Sequence, residues 1–229
     1  MSQRTVLRIA AIVCGISGII ILTGVIYPIL SYSSNYSKNY TKLISPIGGT
    51  EDQVQGVMTT TINGNVDYSK ASSWFPNGAK SADFIASKVD YFTISIPKLK
   101  IDSATVAIGG EDLNKSLIQY PDTALPGKRG NSVIFGHSIL PIFYNPKNYI
   151  SIFSLLPTLK NGDLINVNYD GVSYVYKVEN MFEVLPTDIQ VLDQDSSDSF
   201  LTLVTCVPPG DPANPKRLIV RARVVPPEQ

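Results

Sequence analysis

The stretch Thr202-Leu203-Val204-Thr205-Cys206 is the most informative part of this 229-residue sequence. Its apolar and β-branched residues predict a strand, and Val207-Pro208-Pro209-Gly210 directly after it predicts a loop. Cys206 is therefore expected where a strand opens into a loop, so that a substrate can reach a thiol that the sheet holds rigidly. A lone cysteine in a strand is more often a small buried apolar residue, and residue type alone favours that role.

Two further residue types with suitable chemistry lie near predicted strand ends. The only histidine, His137, follows the predicted strand at residues 131–136, and Arg217 opens the last predicted strand. Imidazole suits proton transfer near neutral pH, although a single histidine is commonly structural. A thiol, an imidazole and a guanidinium together favour acyl transfer through a thioester.

The last strand contains three arginines that spacing alone cannot separate. Alternation places residues 218, 220, 222 and 224 on the core face. Arg217, Arg221 and Arg223 consequently share the opposite face. Since solvated arginines are common on strands, each of the three also has an ordinary structural interpretation.

Composition excludes several classes of protein. The hydrophobic content of 44% is enough for a buried core, and 19 basic residues balance 19 acidic ones, so no net charge attracts nucleic acid. Two distant cysteines do not indicate a disulfide framework, and the absence of a Cys-x-x-Cys pair or a histidine cluster argues against structural zinc. Asp193, Asp195 and Asp198 are interpreted as a solvated loop, and no metal or cofactor is expected.

The N-terminal part predicts a membrane anchor. Residues 9–30 contain no charge and are long enough to cross a bilayer as one helix. Arg4 and Arg8 precede this run, which predicts a cytoplasmic N-terminus and an exported chain after about residue 32. A cleaved signal peptide is the alternative, but the run is long and ends without a small-x-small cleavage site. Cys14 then lies within the span and has no predicted chemistry.

The chain after the anchor divides by composition. Residues 31–80 are polar and predict a stalk, and residues 81–229 predict the folded domain. Within the stalk, Trp74-Phe75 is an apolar island that either docks on the domain surface, which is favoured, or covers the active groove as a lid. Residues 81–88, 113–118 and 152–159 are plausible short helices, and many short strands between Gly and Pro turns fit a mainly β, closed or nearly closed barrel.

These residues resemble the sortases, which are membrane-anchored cysteine transpeptidases of the bacterial cell surface. The family signature Thr-Leu-x-Thr-Cys, followed by an arginine that opens the last strand, matches residues 202–206 and Arg217. Residues 123–127 and 130–137 are similar to the segment that leads to the family's histidine, and residues 153–163 and 186–192 are similar to the next two connections. The resemblance covers about residues 91–225.

The resemblance implies an eight-stranded β-barrel with short helices and assigns roles. Cys206 becomes the nucleophile, His137 the general acid and base, and Arg217 the guanidinium of the groove; Thr205 corresponds to a threonine near the oxyanion. The implied reaction is cleavage of an LPxTG-like C-terminal sorting signal of a secreted surface protein. An amine acceptor, either a cell-wall precursor or a pilin lysine, then takes the acyl group, and no cofactor is needed.

Other functions stay open at this level. A hydrolytic cysteine peptidase uses the same groups, and a non-catalytic membrane-anchored β-barrel could bind a surface polypeptide. The subclass is unassigned because Ser73-Trp74-Phe75-Pro76 lacks the Asp-Pro-aromatic motif found in the lids of pilin-polymerising sortases. The enzyme hypothesis places the Cys206 sulfur roughly 4–7 Å from the His137 ring, with Arg217 on the other side of the thiol.

Overall fold

The computed structural model describes residues 3–42, 67–75, 77–78, 91–211 and 216–226. Within this part of the chain, one long helix, α1 (Gln3–Asn35), precedes nine strands and several short 3₁₀ turns. The strands are β1 (Thr41–Lys42), β2 (Tyr91–Ile96), β3 (Ile101–Ile108), β4 (Leu117–Gln119), β5 (Gly130–Phe135), β6 (Leu164–Tyr169), β7 (Val172–Val184), β8 (Ser199–Val207) and β9 (Lys216–Val224).

Eight of these strands close into a barrel, as predicted. The strands pair in the order β7-β6-β2-β3-β4-β5-β8-β9, and β9 pairs back with β7. The short β1 adds to β7 in parallel, outside this circle. Closure pairs the strand edges that would otherwise be open to other chains.

The barrel has two apolar layers, because both faces of β5, β8 and β9 are covered. Leu218, Val220 and Ala222 of β9 point into the interior, as their alternation predicts, whereas Ile219 belongs to a second cluster on the outer face. This outer cluster comprises Ala71, Trp74, Phe75, Leu113, Ile118, Tyr120, Val133, Phe135, Phe182, Val184, Val191, Val204 and Ile219. Residues 71–75 therefore lie against the outside of the barrel wall.

α1 is long and apolar enough to cross a membrane, and its most apolar 18-residue window makes no buried contact with the barrel. The helix extends beyond the predicted span at both ends and continues past Pro28 to Asn35. Its last turns reach the barrel, where Tyr32 joins the interior cluster. The division at residues 31–80 stays a prediction, but the parts of this range that the structure describes lie against the barrel.

Two predicted helices differ from the structure. Residues 113–118 form no helix: a turn precedes β4, whose Leu117 and Ile118 pair with β3 and β5. This prediction was wrong because strand pairing outweighs the helical spacing of the apolar residues. The helical piece predicted at residues 152–159 shrinks to turns and a 3₁₀ helix, Leu156–Thr158. The helix predicted at residues 81–88 lies outside the described residues.

Candidate active site

The register of three neighbouring strands brings His137, Cys206 and Arg217 side by side. β5 and β8 run parallel with Phe135 opposite Val204, so His137 and Cys206 each follow that pair by two residues. β8 and β9 are antiparallel, and Cys206 is the direct partner of Arg217. Because opposite residues project on the same side of a sheet and adjacent strands lie about 4.8 Å apart, the three side chains form one row.

This row faces outward. Phe135, Val204 and Ile219 all belong to the outer cluster, and each lies two residues from a member of the row. Strand alternation therefore places the imidazole, the thiol and the guanidinium on the outer face. Cys206 is half-buried and packs against the outer cluster. The sulfur is consequently not enclosed in the barrel interior.

Backbone and hydroxyl hydrogen bonds fix the two strand ends that carry the histidine and the cysteine. The Gly136 amide donates to the Val204 carbonyl (3.1 Å), and Ser138 Oγ donates to the Cys206 carbonyl (2.6 Å). Thr205 Oγ1 donates to the Gly136 carbonyl (2.8 Å) and is fully buried. The oxyanion role of Thr205 stays a prediction; its observed contact holds the backbone that leads into His137.

Gly136 lies where neighbouring side chains leave no room for a Cβ atom. A Cβ at this position would lie 2.5 Å from atoms of both Leu117 and Phe153. The Phe153 amide in turn donates to the His137 carbonyl (2.9 Å). The glycine thus allows the end of β5 to approach its neighbours closely enough to place His137 beside β8.

Residues 67–75, here called the covering segment, lie over the row. The Trp74 side chain is 0% exposed, and its ring stacks on Phe135 with 5.3 Å between ring centroids. The same indole lies 5.8 Å from the His137 ring and 5.3 Å from the Arg217 Cζ atom. The favoured docking interpretation of Trp74-Phe75 fits this position, because both rings pack on Phe135 of the barrel wall. The role of a lid stays a prediction.

Arg217 is clamped by the covering segment. Its side chain is 0% exposed, and Nη2 donates to the Trp74 carbonyl (3.1 Å). The guanidinium also lies 5.5 Å from the centre of the Tyr68 ring, and the Trp74 indole N–H donates to the Tyr68 carbonyl (2.8 Å). Two aromatic faces therefore replace part of the hydration of this cation.

The other two arginines of β9 are engaged elsewhere. Arg221 lies 5.8 Å from the Phe200 ring, and Arg223 pairs with the Glu179 carboxylate at 2.8 Å. Only Arg217 is opposite Cys206 in the strand register. The structure therefore separates three arginines that share one face of the strand.

The loop before β4 holds the covering segment in place. The Ala71 amide donates to the Glu111 carbonyl (3.1 Å), and the Leu113 amide donates to the Ser69 carbonyl (2.9 Å). The Ser72 hydroxyl donates to the Glu111 carboxylate. These hydrogen bonds join the covering segment to the loop before β4, and the burial of Ala71, Trp74 and Phe75 in the outer cluster holds it against the barrel wall.

Burial under the covering segment favours the neutral forms of both reactive groups. Desolvation raises the pKa of the Cys206 thiol, and the nearby charge of Arg217 opposes this rise. Desolvation also lowers the pKa of His137, and the negative charges of Asp112 and Asp67 partly oppose this by raising it. Both shifts favour the uncharged forms, a thiol beside a neutral imidazole.

Among the residues that the structure describes, no group of three or more His, Cys, Asp or Glu side chains is arranged to hold a metal ion. Sequence reasoning missed Tyr68 and Ser138 as neighbours of the site. Ser138 adjoins the histidine along the chain and could have been suspected from that position, whereas no sequence pattern connects Tyr68 with Arg217.

A family model described as "Sortase domain" matches residues 94–225. The chain belongs to the sortase family. This agrees with the resemblance predicted over about residues 91–225. Two curated relatives are sortase A of Streptococcus agalactiae, 26% identical over 132 residues, and sortase A of Bacillus anthracis, 29% identical over 133 residues.

These alignments cover 57% and 58% of this sortase and only 51% and 58% of the two relatives. The chain thus spans little more than half the length of the curated relatives that it matches. The crystal structure of sortase C-1 from Actinomyces oris superposes with a TM-score of 0.52 and 23% identity, covering 88% of this chain and 98% of that one. This likeness supports the fold.

Proposed function

We propose that this sortase is a cysteine transpeptidase that cleaves an LPxTG-like sorting signal and transfers the protein to an amine. Cys206 is the nucleophile, His137 the general acid and base, and Arg217 the cation beside the developing negative charge. The observation that carries this proposal is the row of these three side chains on the outer face of one sheet. Family membership supports the same reaction class.

The reaction follows from the chemistry of the row. His137 takes the proton of the Cys206 thiol, and the resulting thiolate attacks the carbonyl carbon of the threonine in the sorting signal, while Arg217 stabilises the oxyanion. The peptide C–N bond then breaks as the His137 imidazolium donates its proton to the departing amine, which leaves a thioester. An incoming amine attacks this thioester, His137 takes the proton that it loses, and the thiolate departs.

The covering segment must move before a substrate reaches the thiol. Trp74 fills the space between His137 and Arg217, where the substrate carbonyl has to lie. Only molecules with an uncovered site can bind the substrate. The apparent affinity for substrate is therefore the affinity of the uncovered form multiplied by the fraction of molecules that are uncovered.

The proposed partners are C-terminal sorting signals of secreted surface proteins and an amine acceptor, either a cell-wall precursor or a pilin lysine. α1 anchors the enzyme in the membrane as a single span. Arg4 and Arg8 favour a cytoplasmic N-terminus, which places the barrel outside the cell.

The test is to trap the acyl-enzyme. The full chain in detergent micelles is incubated with a sorting-signal peptide, and its intact mass is measured. We expect the mass of the acyl fragment on the parent and on Cys14→Ala, and none on Cys206→Ala with an unchanged circular dichroism spectrum. An adduct on Cys206→Ala contradicts the assignment of the nucleophile.

Product analysis distinguishes the remaining alternatives. A transpeptidase yields the amide product when an amine is added, whereas a hydrolase yields the same free acid with and without the amine. A binding module binds the peptide without forming a covalent adduct. Either of the last two results rejects the proposed function.

A further inference from the structure

The candidate site lies at one end of the barrel, here called the catalytic end. β8 finishes at Val207 and β9 begins at Lys216, and this pair is the direct neighbour of the Cys206–Arg217 pair. β5 and β7 run towards the same end, since Phe135 pairs with Val204 and Val184 pairs with Arg217. Tyr91 lies at the opposite end, because β2 begins there.

The end of α1 is attached to the catalytic end. Tyr32 Oη donates to the Glu183 carboxylate (2.7 Å), and Ser37 Oγ donates to its second oxygen (3.1 Å). Lys216 Nζ binds the same carboxylate at 3.2 Å, and Glu183 is only 6% exposed. Tyr40 Oη also donates to the Pro157 carbonyl (3.0 Å). The membrane-crossing helix therefore leaves the barrel beside the catalytic residues.

A second apolar feature projects from the same end. The 3₁₀ helix Pro141–Phe143, here called the apolar turn, exposes 69% of Ile142 and 63% of Phe143. The turn follows the segment 137–140 that begins at the catalytic histidine. Leu140 packs closely over Gly210, where a Cβ would lie 2.6 Å from the leucine Cγ. The apolar turn is thus held in a fixed position against the loop after Cys206.

We propose that Ile142 and Phe143 insert into the interface of the lipid bilayer, so that the catalytic end faces the membrane. The inference goes beyond the proposed function and depends on α1 crossing the bilayer. Among the described residues, α1 is the only helix long and apolar enough to cross a membrane. It is attached to the catalytic end of the barrel, and the apolar turn projects from that same end. The apolar pair is followed by the exposed Lys147, and apolar side chains beside a cation match the chemistry of the interfacial zone.

The exposure of the apolar turn favours a bilayer over a peptide. Side chains that bind a peptide line a groove and are partly buried before the peptide arrives, whereas Ile142 and Phe143 project from a turn with most of their surface in solvent. Two contacts, α1 and the apolar turn, would fix the barrel orientation relative to the membrane. Cys206 would then be held close to the surface and would act preferentially on substrates attached to the same membrane.

The first experiment measures the depth of the apolar turn. The full chain carrying Trp74→Phe, which removes its only tryptophan, receives either Phe143→Trp or the control Tyr91→Trp. Both proteins are inserted into phosphatidylcholine–phosphatidylglycerol vesicles that contain lipids nitroxide-labelled near the headgroup. Phe143 and Tyr91 are both 63% exposed, so they differ in position and not in solvent access.

We expect the Phe143→Trp emission to shift to shorter wavelength and to lose intensity with the labelled lipids, while the Tyr91→Trp emission does neither. Equal quenching of both, or no quenching of Phe143→Trp, overturns the inference. An emission shift of Phe143→Trp that the sorting peptide produces in detergent without lipid overturns it as well, because the apolar turn then belongs to the peptide site. Failure of the parent to float with vesicles rejects the anchor and the inference together.

The second experiment measures the consequence for catalysis. The double variant Ile142→Ser/Phe143→Ser is compared with the control double variant Tyr91→Ser/Val172→Ser, which removes two exposed apolar side chains at the opposite end. With the sorting peptide tethered to vesicle lipid, we expect kcat/KM to fall several-fold for the first variant only. With soluble peptide, both variants should match the parent. If Ile142→Ser/Phe143→Ser lowers kcat/KM equally with the tethered and the soluble peptide, the inference is overturned. If the parent forms no acyl-enzyme, the proposed function is rejected, and the quenching experiment still tests the membrane contact by itself.

Discussion

Replacement of Arg217 by alanine provides the sharpest test of the site, because Arg221 offers a control on the same face of the same strand. Arg217 is opposite Cys206, whereas Arg221 is opposite Thr202. Four residues of a strand extend about 13 Å, so Arg221 is well beyond contact with the thiol.

Loss of a single group that stabilises an oxyanion lowers kcat by about 10²–10³. We expect Arg217→Ala to fall in that range, since Arg217 is the direct cross-strand partner of Cys206. Arg217→Lys should recover only part of the rate, because lysine keeps the charge but loses the planar fork of donors. Arg221→Ala should retain the parent rate.

The assay is single-turnover acylation with a sorting peptide, followed by intact mass, and it separates acylation from transfer to the amine. A thermal melt of each variant verifies the fold, since Arg217→Ala also removes the donor to the Trp74 carbonyl. Parent-like acylation by Arg217→Ala, or an equal loss in Arg221→Ala, would refute the assignment of the catalytic cation.

Three further predictions concern the cover and the supports of the site. Trp74→Ala should narrow the bell-shaped pH profile of kcat/KM. Loss of the indole exposes both groups to water, which raises the pKa of His137 and moves the acid limb to higher pH, and lowers the pKa of Cys206 and moves the basic limb to lower pH. A pH profile with both limbs unchanged would contradict this prediction. Thr205→Val should destabilise the fold by about 1–3 kcal/mol in denaturant melts, because it leaves the buried Gly136 carbonyl without its donor, and Thr205→Ser should restore most of the loss. Glu183→Gln should lower the free energy of unfolding by about 1–3 kcal/mol, since it removes a buried charge with three partners. The exposed Glu179→Gln should cost at most about 1 kcal/mol, and equal melts for these two variants would count against the attachment of α1.

Much of the fold could be predicted from local patterns. Alternation in residues 217–224 assigned the core face of β9 correctly. The pair Asp170-Gly171, a residue pair typical of tight hairpin turns, joins β6 to β7. The short β4 was missed because three residues carry too little pattern. Its strand state comes from pairing with β3 and β5, whose contribution is tertiary.

The sequence by itself determined the chemistry available at the site: one thiol outside the long apolar N-terminal run, one imidazole and three arginines on one strand face. Alternation left three arginines on one face and only the resemblance favoured Arg217; the contact itself was decided by the tertiary structure, because the register of β8 and β9 puts Arg217 opposite Cys206. The tertiary structure also decided two other contacts. Trp74 and Arg217 are 143 positions apart in the sequence, and Tyr32 and Glu183 are 151 positions apart. Such distant partners are chosen by the closing of the barrel, which no local pattern of residues encodes.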